Sequence, residues 1–90
     1  MADSSAPWHV YLLECADSTL YCGVSTDVAR RLAQHNGLLP GGARYTQQRR
    51  PVRLLGALPC DSRGEAQAME WRIKRLPRAK KLAFFSVSCL

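Results

Sequence analysis

Residues 8–24 read WHVYLLECADSTLYCGV, and this stretch decides the fold. Residues 8–15 are rich in β-branched, aromatic and aliphatic side chains, residues 16–19 are turn formers, and residues 20–24 are apolar again. Two such segments joined by a short polar turn are typical of a β-hairpin. We therefore expect two antiparallel strands here, preceded by a frayed leader over residues 1–7.

A first helix is predicted directly after the hairpin. Thr26 is a good N-cap, and Asp27 would lie in the first turn, where the helix dipole favours a negative charge. Gly37 is a natural residue to end the helix. Four apolar residues repeat at helical spacing between these ends: Val28, Ala29, Leu32 and Ala33.

A second helix is predicted from a capping box, because Ser62 is followed three residues later by Glu65. Its apolar positions are Ala66, Met69, Ile73 and Leu76. Pro77 would end or kink this helix, and a short last helix is predicted over residues 78–85. Three apolar residues of that last helix are expected to return to the core: Leu82, Phe84 and Phe85.

The segment between the two main helices divides at residue 50. Residues 37–50 contain Pro40, Gly41 and Gly42 with little periodicity, so we expect a long functional loop. Residues 51–60 read as a third strand whose prolines suit its ends or a sheet edge. The predicted fold is α/β (α+β): a small three-stranded, mainly antiparallel sheet flanked by two or three helices. It forms one domain over residues 8–85, followed by a tail over residues 86–90.

The charge of the chain favours a polyanionic partner. Thirteen Lys and Arg against seven Asp and Glu give a formal net charge of +6. Six bases and no acid occur within residues 71–81, and a second basic group comprises Arg44, Arg49, Arg50 and Arg53. Steering and counterion release would draw such a chain to nucleic acid, although a solvated helix face has a similar composition.

The four cysteines indicate neither a disulfide framework nor a zinc site. Cys15, Cys22, Cys60 and Cys89 contain no C-x-x-C pair and no histidine at ligand spacing. No signal peptide and no membrane-spanning apolar run is visible. We expect a cytoplasmic protein in a reducing compartment, with no membrane partner. Cys15, Cys22 and Cys60 would pack as small hydrophobes, and Cys89 would be exposed in the tail.

One face of the first helix carries polar groups at intervals of four residues. Asp27, Arg31 and His35 would line one side of it. A guanidinium can grip two phosphate oxygens, and a histidine can donate or accept a proton. The structural alternative is a surface pair between Asp27 and Arg31 beside a spare histidine.

The residues around this face resemble the GIY-YIG nuclease motif. His9-Val10-Tyr11 stands for the first triplet and Tyr21-Cys22-Gly23 for the second, with departures at His9, Val10 and Cys22. In that family an arginine follows the second glycine by eight positions, as Arg31 does, and a histidine one turn later matches His35. A glutamate on the helix after the third strand matches Glu70. The resemblance covers residue 8 to about residue 82 and is especially close to small bacterial stand-alone members and to the Slx-type structure-specific endonuclease domain.

This resemblance implies a metal-dependent DNA endonuclease. Tyr11 would act as general base or position the attacking water, with Tyr21 beside it, while Arg31 and His35 complete the site. Glu70 would bind one Mg²⁺ or Mn²⁺, since a single carboxylate suits hard ions that keep their waters. The bland alternatives are a Glu70–Lys74 surface pair and tyrosines that merely cover the core. Gly23 would allow a close backbone approach, or mark a bulge.

Six residues are predicted to contact nucleic acid: Asn36, Arg44, Tyr45, Thr46, Arg49 and Lys74. One small domain has few side chains with which to read bases, so we expect low sequence specificity on single-stranded or branched DNA. Two other hypotheses stay open: a non-catalytic nucleic-acid-binding module, and an RNA-directed or partner-activated nuclease. Catalysis of either kind requires Glu70 to lie on the same side of the molecule as Tyr11 and Arg31.

Overall fold

The computed structural model describes residues 7–86, so the predicted leader up to residue 6 and the tail from residue 87, with Cys89, lie outside the described residues. Seven elements follow in chain order: β1 (Trp8–Glu14), β2 (Leu20–Ser25), α1 (Val28–His35), α2 (Arg44–Gln47), β3 (Arg53–Cys60), α3 (Arg63–Lys74) and α4 (Arg78–Ser86). The predicted hairpin, third strand and three helices are all present. The short helix α2 is additional, because the segment predicted as loop over residues 37–50 contains one helical turn.

The three strands form one antiparallel sheet in the order β2-β1-β3. The central strand β1 is almost entirely buried, which explains its run of apolar residues. Both neighbours are edge strands among the described elements. Pro59 therefore lies near the end of an edge strand, as predicted.

Helices cover both faces of the sheet. On one face, α1 packs on a cluster built around Tyr11, Leu13, Cys15 and Val52. On the other, α3 and α4 pack on a larger cluster: Val10, Leu12, Cys22, Cys60, Ala66, Ile73 and Phe85. Phe85 is 1% exposed, whereas its neighbour Phe84 is 39% exposed, so the prediction that both phenylalanines return to the core is wrong for Phe84.

The N-cap of α3 lies where the sequence predicts it, and the N-cap of α1 is shifted by one residue. The N-cap of α1 is Asp27, not Thr26: its carboxylate accepts the Arg30 N–H at 3.0 Å, and Ser25 Oγ accepts the Asp27 N–H. Ser62 caps α3 through the Glu65 N–H as predicted. The Glu65 carboxylate in turn accepts the N–H of Asp61.

Three cysteine thiols of the described chain, those of Cys15, Cys22 and Cys60, are free and buried, as predicted for small core residues. Within residues 7–86, no helix combines the length and the apolar composition that crossing a membrane requires.

Candidate active site at the edge of the sheet

The register of the hairpin places the two predicted catalytic phenols on one face of the sheet. Tyr11 pairs with Gly23, and Tyr21 pairs with Leu13. Directly paired residues of antiparallel strands point to the same side, so Tyr11 and Tyr21 are diagonal neighbours. A Cβ at Gly23 would lie 2.5 Å from the Tyr11 hydroxyl and 2.6 Å from Cζ. Glycine is therefore needed for close approach, as predicted, and what approaches is the ring of Tyr11.

Tyr11 is almost completely enclosed by this arrangement, with 1% of its surface exposed. Its hydroxyl lies 2.9 Å from His35 Nε2. Burial, reinforced by the neighbouring phenol of Tyr21, raises the pKa of Tyr11 to about 12, against the opposing charge of Arg31. At neutral pH Tyr11 therefore keeps its proton and has it available to donate.

His35 is fully buried at the end of α1 and is bonded through both ring nitrogens. Its Nδ1 lies 3.0 Å from Thr46 Oγ1, and the Thr46 hydroxyl donates its one proton to the carbonyl of Ala43. Thr46 is then left as the acceptor, so Nδ1 carries the imidazole proton. His35 Nε2 is consequently the acceptor for Tyr11. Burial, together with Arg31 and Arg50, lowers the pKa of His35 to about 4, which keeps the ring neutral at physiological pH.

Arg31 holds the loop after α1 against this pair. Its Nη1 donates to Gln34 Oε1 at 3.0 Å and to the carbonyl of Gly41 at 2.6 Å. A hydrogen bond from Arg31 also acts on the Tyr11 phenol, lowering its pKa against the larger effect of burial. Nη1 is thereby committed to the protein. The helix face that the sequence singled out does converge on the hairpin tyrosines.

Two residues predicted to contact nucleic acid are engaged inside the protein instead. Thr46 is fully buried, so its hydroxyl positions His35 rather than meeting a substrate. Asn36 exchanges two hydrogen bonds with the backbone of Val52, one in each direction, which ties the end of α1 to the segment entering β3. Polar composition in a loop could not separate these internal roles from surface ones.

The second phenol, Tyr21, opens on a cavity of about 230 Å³ beside the edge strand β2. Tyr21 contacts the His35 ring edge-on at 5.0 Å and the Tyr45 ring at 5.7 Å between centroids. Seven residues line the cavity: Leu12, Leu20, Tyr21, Cys22, Tyr45, Lys74 and Lys81. Sequence reasoning missed Lys81 and Leu20, although Leu20 and Cys22 flank Tyr21 in the strand that carries the motif.

Glu70 departs from the prediction in its placement. It lies on α3, which packs on the sheet face opposite Tyr11 and α1, so Glu70 can meet Tyr21 and Arg31 only around the edge strand β2. Its Oε2 lies 3.3 Å from Lys74 Nζ, which realises the predicted surface pair. Yet Lys74 lines the same cavity as Tyr21 and Tyr45. Burial raises the pKa of Cys22, which also lines the cavity, to about 12, and the charge of Glu70 adds to that rise. Because β2 is an edge strand, the cavity reaches around it, and Glu70 borders it through its pair with Lys74.

A divalent ion at this cavity would depend on Glu70 and on ligands from outside the protein. No group of three or more metal-ligating side chains occurs among the residues that the structure describes. Glu65, the other acid of α3, accepts the Asp61 N–H. Glu70 is a half-buried carboxylate paired with an exposed lysine, and this donor set fits a hard ion that keeps water ligands and shares phosphate oxygens.

The other residues predicted to contact nucleic acid differ in how accessible they are. Tyr45 is 38% exposed, with the guanidinium of Arg49 4.0 Å above its ring. Arg49 is also paired with Asp17 at 3.0 Å and donates to the Tyr45 carbonyl, so it braces the aromatic ring. Arg44 is exposed at the start of α2, and Lys74 is exposed at the cavity rim. Arg44 and Lys74 thus remain accessible for phosphate contact.

The similarity to known proteins extends over nearly all of the described chain. A family model described as the GIY-YIG catalytic domain matches residues 7–83. A UPF0213 protein of Nitratidesulfovibrio vulgaris is 58% identical over 76 residues, covering 84% of this chain and 67% of that protein. A UPF0213 protein of Halobacterium salinarum is 51% identical over 77 residues, covering 86% of this chain and 97% of that protein.

Two solved structures share the fold. The solution NMR structure of a UPF0213 protein from Bacillus halodurans superposes with a TM-score of 0.56 at 40% identity, covering 90% of this chain and 84% of the other. That of a protein from E. faecalis gives 0.60 at 35% identity, covering 87% and 81%. These likenesses confirm the predicted α+β class and the three-stranded antiparallel sheet.

Proposed function

Because the chain belongs to the GIY-YIG catalytic domain family, we propose that it is a metal-dependent DNA endonuclease that hydrolyses phosphodiester bonds with low sequence specificity. The observation that carries the proposal is the hydrogen-bonded series Tyr11–His35–Thr46. It lies behind Tyr21, on the sheet face that α1 covers. A pure binding module has no need of a buried phenol and imidazole held in one tautomer.

The two phenols have different parts in this proposal. Tyr21 lines the cavity, so its oxygen is the one that meets an incoming water. Tyr11 lies behind it with a pKa of about 12, donating to neutral His35, and therefore positions Tyr21 and Arg31 rather than removing a proton in the resting enzyme. We thereby revise the expectation that Tyr11 is the general base. Water adds to phosphorus as the bond to the leaving oxygen breaks, and the products are a phosphate monoester and an alcohol.

Positive charge around the cavity would stabilise the additional charge of the transition state. Lys74 and Lys81 line the cavity, and Arg31 adds charge from beside Tyr11. A divalent ion held by Glu70 would supply Lewis-acid charge at the scissile phosphate. Lys74 now neutralises Glu70, so it would release the carboxylate when the ion binds and remain free to hold a phosphate oxygen.

Substrate preference follows from the dimensions of the site. The cavity of about 230 Å³ is lined by side chains of the central and edge strands, two helices and one residue of the short helix α2. Unpaired nucleotides can enter a space of this kind, whereas a rigid duplex would need a longer groove. We therefore favour single-stranded DNA, or flaps and junctions with single-stranded arms.

Cleavage of a labelled substrate panel tests the proposal. Single-stranded DNA, duplex, flap and RNA oligonucleotides are incubated with Mg²⁺, Mn²⁺ or EDTA, and the products are resolved by gel electrophoresis. We expect metal-dependent cutting of the single-stranded and flap DNA, reduced by about a hundredfold in Arg31→Ala, in Glu70→Gln and in Tyr21→Phe. Ala68→Ser, at an exposed position of the same helix as Glu70, is the matched control and should cut normally.

The same panel distinguishes the alternatives. Tight binding without cutting under any metal condition would identify a nucleic-acid-binding module, and cutting confined to RNA would identify an RNA-directed enzyme. Full activity of both Arg31→Ala and Glu70→Gln would show that the site lies elsewhere.

A further inference from the structure

The helix α3 exposes a large aromatic side chain that the proposed site does not use. Trp71 is 61% exposed and lies directly after Glu70 in the sequence. The guanidinium of Arg75 lies 4.1 Å from the centroid of its ring, covering one face. An exposed tryptophan with a cation against one face and solvent at the other can receive a second flat ring.

Helical periodicity fixes where this ring lies relative to the cavity. Residues 66, 69 and 73 face the core, and successive residues turn by about 100°. Glu70 and Lys74 therefore form a row on the flank that borders the cavity, and Trp71 and Arg75 form the next row, at the solvent pole of α3. A nucleic-acid strand that leaves the cavity beside Lys74 would meet Trp71 next.

The segment that begins at Trp71 carries an excess of positive charge, although Lys74 is paired with Glu70 and Arg78 with Glu14. The segment from residue 71 to residue 81 contains six bases and no acid: Arg72, Lys74, Arg75, Arg78, Lys80 and Lys81. A polyanion is the occupant that this charge selects, and the aromatic ring adds affinity for an unpaired base over a paired one. An acidic protein segment would satisfy the charge but would leave the flat open face of the indole without a matching partner.

We propose that Trp71 and Arg75 form a stacking platform for an unpaired base of the nucleic-acid strand that runs out of the catalytic cavity, a proposal that rests on the proposed function for the position of that strand. The platform gives the protein a second point of attachment outside the reacting phosphate. It favours single strands because only an unstacked base can lie on the indole.

Binding of a fluorescein-labelled thymidine dodecamer, followed by anisotropy in EDTA, tests the platform without any cleavage. Trp71→Ala should weaken binding about tenfold, whereas Trp71→Phe should stay within about threefold of the wild type, because a smaller ring still stacks. Leu38→Ala, which removes an exposed apolar side chain of the distant loop, is the matched control and should bind normally. Thermal unfolding confirms that each variant is folded.

A dodecamer of abasic sugar-phosphate separates stacking from charge. It should bind wild type and Trp71→Ala equally, and equal binding of the thymidine oligomer by both proteins would overturn the proposal. So would sedimentation showing a dimer that Trp71→Ala disperses, since the ring would then belong to a subunit interface. An absence of cleavage with the Trp71 effect intact would sink the nuclease proposal alone and leave a single-strand binding surface.

Discussion

At the scale of single residues, the candidate site is defined by proton positions. The Thr46 hydroxyl gives its proton to Ala43, which leaves Nδ1 of His35 as a donor and Nε2 as an acceptor. Tyr11 must then donate to His35, and the lone pairs of its own oxygen face Arg31. One buried threonine thus sets the direction of every hydrogen bond in the series as far as Arg31.

Replacing Thr46 with Val should disturb this direction while preserving shape. The buried Nδ1–H of His35 would lose its acceptor, which costs about 1–3 kcal/mol of folding free energy. Urea unfolding measures that loss, and Thr46→Ser should restore most of the stability. Nitrogen NMR of the imidazole should show a proton on Nδ1 in the wild type. A proton on Nε2 instead would contradict the assigned direction.

The neutral state of His35 predicts how stability depends on pH. The pKa of His35 is about 4 in the folded protein, against 6.5 for an ordinary histidine, so the unfolded chain takes up a proton first as the pH falls. Stability is fully present above pH 6.5 and declines toward pH 4, by roughly 3 kcal/mol at most. Urea midpoints at intervals across this range measure the slope.

Two variants isolate the histidine responsible for the slope. His35→Gln should flatten it, and His9→Gln should leave it in place. The pKa of the Glu14 carboxyl is lowered mainly by its hydrogen bond from Arg53, and that of the Asp17 carboxyl mainly by its hydrogen bond from Thr19. The contributions of these two groups to stability are therefore lost only below their ordinary pKa values of 4.5 and 3.8. A slope that persists in His35→Gln just below pH 6.5 would assign the effect to another group.

Sequence could identify the members of this site better than their roles. Helical periodicity placed Arg31 and His35 on one face, and the resemblance to the GIY-YIG motif singled out Tyr11 and Tyr21. Thr46 was predicted as a surface contact because a threonine in a glycine-rich loop looks alike whether its hydroxyl meets solvent or a buried imidazole. Only the packing of α2 against α1 decides between them.

At the scale of elements, the N-terminus of α1 determines where Arg31 points. Asp27 caps the helix through the Arg30 N–H, which fixes the first turn against the end of β2. Asp27→Ala should lower stability by about 1 kcal/mol, and Asp27→Ser, which keeps an acceptor, should lower it by much less. Thermal or urea unfolding compares the two, and equal losses would show that the carboxylate does not act as the cap.

The sequence mispredicted a helix cap and a buried side chain where two equally suitable residues are adjacent. It missed α2 because that helix is too short to show a periodic pattern. Thr26 and Asp27 are both good capping residues, and the hydrogen bond from the Asp27 N–H to Ser25 decided between them. Residues 44–47 make a single helical turn, which gives no periodicity to detect. Phe84 and Phe85 are adjacent, and a helix can turn only one of them fully into the core.

At the scale of the whole molecule, the basic residues of the sequence divide between ion pairs within the fold and the lining of the cavity. Arg49 is paired with Asp17, while Arg53 and Arg78 both bind the carboxylate of Glu14, which joins β1, β3 and α4. Lys74 and Lys81 line the cavity instead. Sequence could count these charges but not allocate them, because the partners are up to 64 residues apart in the chain. For the same reason it could not show which sheet face α3 would cover.

This allocation predicts the salt dependence of single-strand binding. The logarithm of the association constant should fall linearly with the logarithm of salt concentration, and Lys81→Gln should reduce the slope by about 0.7. Lys80→Gln, one residue away and outside the cavity lining, should reduce the slope by clearly less. Anisotropy titrations in EDTA at several salt concentrations measure both, and equal slopes for all three proteins would remove Lys81 from the phosphate path.

Gly23 and Tyr11 occupy one shared volume across the hairpin, since a methyl group at position 23 would coincide with the end of the phenol. Position 23 can therefore accept a side chain only when position 11 carries a smaller one. A selection for revertants of Gly23→Ala should recover second-site suppressors at position 11 that carry smaller side chains, and these would restore folding without restoring cleavage. The contact between positions 11 and 23 thus decides whether a descendant of this hairpin keeps the phenol or tolerates a larger residue opposite it.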